Sequence, residues 1–404
     1  MIGPDWAGDE RSGTAEADRP RRVAVVTGSR ADYGLLRPVM HAIQTRRDLE
    51  LLVIASGSHL IQPGLTFYDV KRDFDVADSV PMQVAGKVGR WADVEAVGKG
   101  ISRFGRSFRA HAPEWVVVLG DRVEAYAAAT AASLGGLALA HIHGGDRAEG
   151  VADESMRHAI TKLAHLHLAA TVTSGERIRK MGERPQDVVV VGSPALDGLA
   201  SVRPIGDKRW AELGAPDAVL LMHPIGRTDE AEEHATSLVL EALEGRRVLA
   251  LHPNFDPGRE GVLRALVNAG DAVHLERHLT RDEFVGVLKR LAEQHADDKP
   301  DSRGGVLVGN SSSGLIEAAA LGCPTVDIGQ RQAGRERAEG LTFWAAEDAE
   351  AIRGALDRAA QCDTSDEGGA SHPFGDGLAG VRIAEALATH DPHDERRLRK
   401  RCAY

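Results

Sequence analysis

What the chain lacks narrows its class before any motif is read. Its three cysteines, Cys323, Cys362 and Cys402, are scattered and make no CxxC pair. That excludes a disulfide framework and points to a reducing compartment. No apolar run approaches the ~20 residues that span a bilayer. There is no basic excess: 49 Lys and Arg stand against 60 Asp and Glu, a formal net charge of -11. A surface that holds nucleic acid non-specifically is normally basic, so DNA and RNA are disfavoured as partners. Residues 1–20 are polar, without the apolar core of a signal peptide, and read as a disordered leader on a cytoplasmic protein.

What is present is a rhythm. At 404 residues the chain has room for two domains. Apolar runs at 23–26, 51–54, 116–119, 137–140 and 188–191 read as buried strands. The pattern restarts with 218–222, 248–251, 272–275, 306–308 and 325–328. Residues 123–134 and 155–168 read as helices, with His165 and His167 as partly packed helix residues. Another helix carries Leu35, Leu36, Val39, Met40 and Ile43, with Pro38 in its first turn. Alternating β and α with doubly buried strands implies parallel, doubly wound sheets. The expected fold class is α/β, two Rossmann-like doubly wound domains facing a cleft. The expected divisions are an N-terminal domain at 21–200, a C-terminal nucleotide-binding domain at 201–380, and a closing helix with a charged, frayed tail at 381–404. Residues 293–305 and 362–373 read as surface loops.

Ligands of such sheets sit beyond the carboxyl ends of the strands, and the polar motifs lie there. Gly309-Asn310-Ser311-Ser312-Ser313-Gly314 follows a strand and opens a helix. Free N–H groups and the helix dipole make such a turn an anion site. Capping alone needs one Ser or Asn, and this run has four. No Lys follows its second glycine, so it is not a Walker A loop. Glu317, in the first turn of that helix, is placed to accept bonds from ribose hydroxyls. Arg30 ends the first strand, where a guanidinium can face phosphate; the spacing around it is not GxGxxG. Asp121, after Gly120, ends another strand and reads either as a cleft acid or as a helix cap. His141 and His143 fall on one face by strand alternation. With Asp146 they form at most a weak metal set, and acid–base or hydrogen-bonding roles fit better. Asp153 and Arg157 lie four apart on a helix, the spacing of a surface ion pair. His223 and His252, each followed by proline, end two strands of the second half. Arg331 and Arg335 follow the last strong strand, beside the cleft.

These residues, taken in order, resemble the UDP-N-acetylglucosamine 2-epimerases. The motifs are GSRADYG (28–34), GSHL (57–60), GDR (120–122), HIHGG (141–145), the run 153–162, His223, HPNFDPG (252–258), GNSSSG (309–314) and RQAGRE (331–336). GSRADYG resembles the hydrolysing branch, which supplies N-acetylmannosamine for sialic acid synthesis. The non-hydrolysing branch usually opens GTRPE.

The resemblance implies a GT-B-like fold and a reaction. A base removes the C2 proton of the sugar while the nucleoside diphosphate leaves C1, giving a 2-acetamidoglucal. Water then adds, and the free sugar departs with C2 inverted. No cofactor and no metal is implied. Carried over by position, Asp121, Asp153 and His223 serve proton transfer and water activation, with Glu154 and His143 as further candidates. Arg30, His252, Ser311, Ser312 and Arg331 hold the diphosphate of the nucleotide-sugar substrate and of the UDP product, and Glu317 the ribose. A homodimer or homotetramer is implied. Three departures bear on the sugar: many members carry Glu where His143 stands, Asp146 replaces a Glu common after the two glycines, and the 293–305 stretch is longer than usual. A GDP-linked sugar, a UDP-linked 2,4-diacetamido sugar, non-hydrolysing epimerisation and GT-B glycosyl transfer stay open.

Overall fold

The computed structural model describes residues 19–62, 64–87, 89–148, 154–254, 256–296, 304–362 and 372–400. Two parallel sheets organise them. The first holds β1 (Arg21–Thr27), β2 (Leu49–Ser56), β3 (Val76–Val80), β4 (Trp115–Leu119), β5 (Ala138–Ile142), β6 (Leu166–Ala169) and β7 (Val188–Val190) in the order 3-2-1-4-5-6-7. The second holds β8 (Ala218–Leu221), β9 (Val248–Leu251), β10 (Val273–Glu276), β11 (Val306–Gly309), β12 (Thr325–Ile328) and β13 (Thr342–Ala345) in the order 10-9-8-11-12-13. The two orders are the same doubly wound plan. Each leaves a crevice where the strand order reverses, between β1 and β4 in one sheet and between β8 and β11 in the other.

The expected α/β fold with two Rossmann-like sheets is therefore present, and its central strands are the continuous apolar runs. Val23, Val25, Val117, Leu220, Val308 and Val326 are fully buried, because helices cover both faces. The helix Ala379–Thr389 returns to the first half. Its Ile383, Ala384, Ala386 and Leu387 pack on Leu36, Val39, Met40 and Ile43 of the helix Arg30–Gln44. Asp197 fixes where it starts, accepting from the Ala379 and Gly380 N–H groups at 2.9 and 2.6 Å.

Several expectations are corrected. The helix expected at 155–168 stops at Leu163, and residues 166–169 are β6. His167 is therefore a strand residue, donating from Nε2 to Glu183 at 3.0 Å, and His165 stands just before the strand. Pro38 sits inside its helix rather than in the first turn, because the helix begins at Arg30. The stretch 293–296 continues the helix Arg281–Ala296. Residues 1–18, 297–303 and 363–371, on which the leader and loop readings fall, lie outside the described residues.

The tail is not frayed as far as Lys400. A short helix Glu395–Leu398 buries Arg397 against Asp187 at 2.9 Å, and Lys400 reaches Glu183 at 2.7 Å. Burial of paired charges, invisible in a charged sequence, decides this.

Candidate active site

The first crevice is set by the turn after β1. Ser29 caps the helix Arg30–Gln44, and the Asp32 carboxylate accepts from Thr27 Oγ1 at 2.7 Å and from the Gly28 and Ser29 N–H groups at 3.0 Å each. This reciprocal capping box locks the turn and leaves Arg30 exposed at its rim. Asp69 of the first half and His278 of the second are its electrostatic neighbours.

Across the crevice, Asp121 follows β4 and forms an ion pair with Arg157. Arg157 was expected on the surface; it is buried, and its second nitrogen donates to the Asp146 carbonyl at 3.1 Å. The helix Glu154–Leu163 thus delivers a cation beneath Asp121 instead of a surface pair. Glu154 opens that helix and meets His158 of its own helix at 3.3 Å. Asp153 lies outside the described residues.

His141 and His143 do not act as one face. β5 ends at Ile142, and His143 leaves it with φ 62°, a left-handed conformation rare for a side-chain-bearing residue. His141 donates from Nε2 to the Gly120 carbonyl at 2.7 Å, and burial pushes its pKa down to about 3. It is a neutral strut holding the turn before Asp121. His143 is buried with both ring nitrogens engaged, Nδ1 with Asp146 at 2.7 Å and Nε2 with Ser193 Oγ at 3.0 Å. Asp146 is fully buried and also accepts from Ser174 Oγ at 2.8 Å. Burial alone would raise its pKa. His143, Arg335 and Arg157 more than offset that and hold it well below the usual carboxylate range.

The second crevice is clamped by Asn310. Its side chain accepts from the His223 N–H and donates to the His223 carbonyl, both at 2.8 Å. The end of β8 is thereby tied to the end of β11. The Asn310 carbonyl accepts from Arg331 at 3.2 Å and from Gln332 Nε2 at 2.9 Å. His223 Nδ1 accepts the Asn254 N–H at 3.2 Å. Burial, then the neighbouring Arg331, pushes the His223 pKa down to about 3. The ring is neutral at pH 7, with its proton on Nε2.

Ser311, Ser312 and Ser313 remain partly exposed, and the helix start they lead into is wound as a π-turn over Gly314–Ala318. Such widened turns recur at functional sites. Glu317, one turn in, is 9% exposed and 3.9 Å from Arg281, and burial raises its pKa. His252 ends β9 one strand away; burial, then Arg259 and Arg277, lowers its pKa.

The two crevices face one another. Arg335 reaches Asp146 across them at 3.5 Å, Arg177 reaches Glu336 at 2.9 Å, and Arg281 donates to the Ala195 carbonyl at 2.5 Å. Sequence reasoning placed Arg30, Asp121, His143, His223, His252, Ser311, Ser312, Glu317 and Arg331 around this cleft. It gave no site role to Asn310, Arg157 or Gln332. All three lay inside the quoted motifs, but only their burial marks them.

Two Rossmann-like sheets turning their carboxyl ends toward a shared cleft define the GT-B-like class of α/β proteins. Within that class the assignment is specific. Residues 41–388 match the family described as UDP-N-acetylglucosamine 2-epimerase, and the chain belongs to that family of enzymes. It is 34% identical to the hydrolysing UDP-N,N'-diacetylbacillosamine 2-epimerase of Legionella pneumophila, over 80% of this chain and 84% of that one. It is 30% identical to the UDP-N-acetylglucosamine 2-epimerase of Neisseria meningitidis, over 80% and 83%. In fold it is similar to the Methanocaldococcus jannaschii UDP-N-acetylglucosamine 2-epimerase solved with UDP-N-acetylglucosamine and UDP. There the TM-score is 0.75 at 17% identity, over 91% of this chain and 100% of that one.

Proposed function

We propose that the chain is a hydrolysing 2-epimerase that converts UDP-N-acetylglucosamine and water into UDP and N-acetylmannosamine. One observation carries the reading: a carboxylate with a buried cation beneath it, Asp121 over Arg157, stands opposite a serine-rich turn and a neutral imidazole.

The two sides divide the chemistry. On the first half, Asp121 and Asp153 handle the protons, with Glu154 as a further candidate. One carboxylate takes the C2 proton, C1=C2 forms, and the C1–O electron pair departs with UDP. Water then adds its oxygen to C1 while C2 receives a proton on the opposite face. On the second half, Ser311, Ser312, Arg331 and His252 hold the diphosphate with Arg30 from across the cleft, and Glu317 accepts from the ribose. A neutral His223 with its proton on Nε2 is a hydrogen-bond donor, so its part is to stabilise charge on the departing diphosphate. His143, with both nitrogens occupied, orients the Asp146 turn and takes no proton from substrate.

A second reading, a UDP-linked 2,4-diacetamido sugar as donor, is favoured by the name of the 34% identical Legionella relative. Incubation of each donor in heavy water, followed by NMR, separates the possibilities. The proposal expects free UDP and free N-acetylmannosamine carrying deuterium at C2. UDP-N-acetylmannosamine without free UDP makes the enzyme non-hydrolysing. Turnover of the diacetamido donor alone selects the second reading.

A further inference from the structure

We propose that Gln332 and Arg335 are positioning residues, which couple occupation of the 309–314 turn to the Asp146–Arg157–Asp121 cluster across the cleft. The inference deepens the function proposed above and rests on it.

The loop after β12 has two ends with different attachments. At the near end, Arg331 and Gln332 both donate to the carbonyl of Asn310, the residue that leads into the serines. Gln332 is 2% exposed, and its own Oε1 accepts from Arg335 Nη1 at 3.0 Å. At the far end, Arg335 Nη2 approaches Asp146 Oδ2 at 3.5 Å. The Asp146 carbonyl in turn accepts from Arg157, whose other nitrogen pairs with Asp121. The chain of bonds is unbroken from Asn310 in one half to Asp121 in the other. A buried glutamine is costly to place unless both ends of its amide are used; Gln332 uses both, and Arg335, its side chain 10% exposed, turns Nη1 to Gln332 and Nη2 to Asp146.

A second strut holds the same loop to the same turn. Arg177, on the helix Val172–Lys180, donates to the Gly145 carbonyl at 3.1 Å, to the Gly334 carbonyl at 3.1 Å and to Glu336 at 2.9 Å. Residues 334–336 are therefore seated against the turn that carries His143 and Asp146. A ligand that fixes the Asn310 peptide fixes Gln332, and through it the guanidinium that faces Asp146. Arg335 acts through Asp146 and Arg157 and is a positioning residue.

The test uses the full chain with Arg335→Met, Arg335→Lys and Gln332→Leu. Steady-state turnover is measured with the donor that works, UDP affinity by calorimetry, and amide exchange of residues 143–148 with and without UDP. Arg335→Met is expected to lower kcat about 100-fold while UDP affinity stays within threefold. Arg335→Lys should recover at least tenfold of the loss, and Gln332→Leu should lower kcat about tenfold. UDP should slow exchange at 143–148 in the wild type and not in Arg335→Met. An equal fall in UDP affinity and in kcat/KM would make Arg335 a direct diphosphate ligand and overturn the proposal. So would unchanged kcat, or UDP protection of 143–148 that survives Arg335→Met. If the wild type turns over no donor, the proposed function fails, and the exchange arm still decides the coupling.

Discussion

Replacing Glu183 with Gln tests how the structure holds the helix that carries Glu154 and Arg157. The Glu183 side chain is 4% exposed and accepts from His167 at 3.0 Å, from Lys400 at 2.7 Å and from Lys162, which lies on that helix. Burial alone would raise its pKa, but the three donors more than offset it and bring it from 4.5 to about 2. A difference of that size corresponds to about 3 kcal/mol. Burial works against the cation, holding the Lys400 ammonium below its usual range. The net loss on removing the carboxylate should then be about 2–3 kcal/mol. Because the folded pKa is depressed, this contribution is complete above about pH 4.5 and is lost as the pH falls toward about 2.

A two-domain chain need not unfold in one step, so the assay should be local. Amide exchange of residues 154–170 at pH 7 reads the opening of the helix and of β6 directly. Glu183→Gln should speed it roughly 30- to 150-fold, since 1.4 kcal/mol is a factor of ten in an equilibrium. Ending the chain at residue 390 removes both Lys400 and Arg397, and it should speed exchange by a comparable factor. Exchange within threefold of the wild type in both variants would show that the buried pairs carry no net stability, and would refute the argument.

Two further outcomes follow, one from a single glycine and one from three buried histidines. Gly309→Ala should strain the join of β8 and β11. The residue has φ 144°, and a Cβ there would lie 2.2 Å from the Leu221 carbonyl oxygen; the expected loss is about 3 kcal/mol or more, with UDP affinity down at least tenfold by calorimetry, and an unchanged affinity would contradict it. Acid should destabilise the fold well before carboxylates titrate. Burial pushes the pKa values of His59, His141 and His165 down to about 4, about 3 and about 4, so below pH 6.5 the unfolded chain binds protons that the folded one refuses. The slope should approach 4 kcal/mol per pH unit for the three, and a melting temperature that stays flat from pH 7.5 to 5.5 would refute it.

The strands legible in the sequence were the apolar runs, and the central ones among them are buried on both faces. Val23–Val26 and Val116–Leu119 are continuous apolar runs because helices cover them above and below. β3 and β13 escaped notice for the converse reason. As edge strands they are only partly covered: Val-Ala-Asp-Ser-Val is broken by Asp78 and Ser79, and the Phe-Trp-Ala of β13 is short with Trp344 facing solvent. β6 was absorbed into the preceding helix because its buried His167 is satisfied by Glu183, sixteen residues away. The site divides likewise. Strand-end residues such as Arg30, Asp121 and His223 are readable, because a polar group after an apolar run has a fixed place in a doubly wound sheet. Pairs such as Arg157 with Asp121 join residues 36 apart, and no local pattern encodes them.

The two halves also differ in the charged groups they bring to the cleft. The imidazole of the second crevice, His223, has been pushed down to about 3, and Arg331 beside it keeps its charge throughout. Under the proposed function that side holds the diphosphate with a neutral imidazole and a guanidinium. Asp121 and Glu154 belong to the first half, as does the Asp146 turn. Arg157 touches both Asp121 and the Asp146 carbonyl, and Arg122 and Arg335 add to the positive field at Asp121. Under the proposed function, a diphosphate grip on the second half that is separate from the coupled charges of the first would let the nucleotide stay bound while a proton moves at C2. The same proposal makes the placement of Arg157, which holds Asp121 and the Asp146 carbonyl together, the feature whose replacement should cost most.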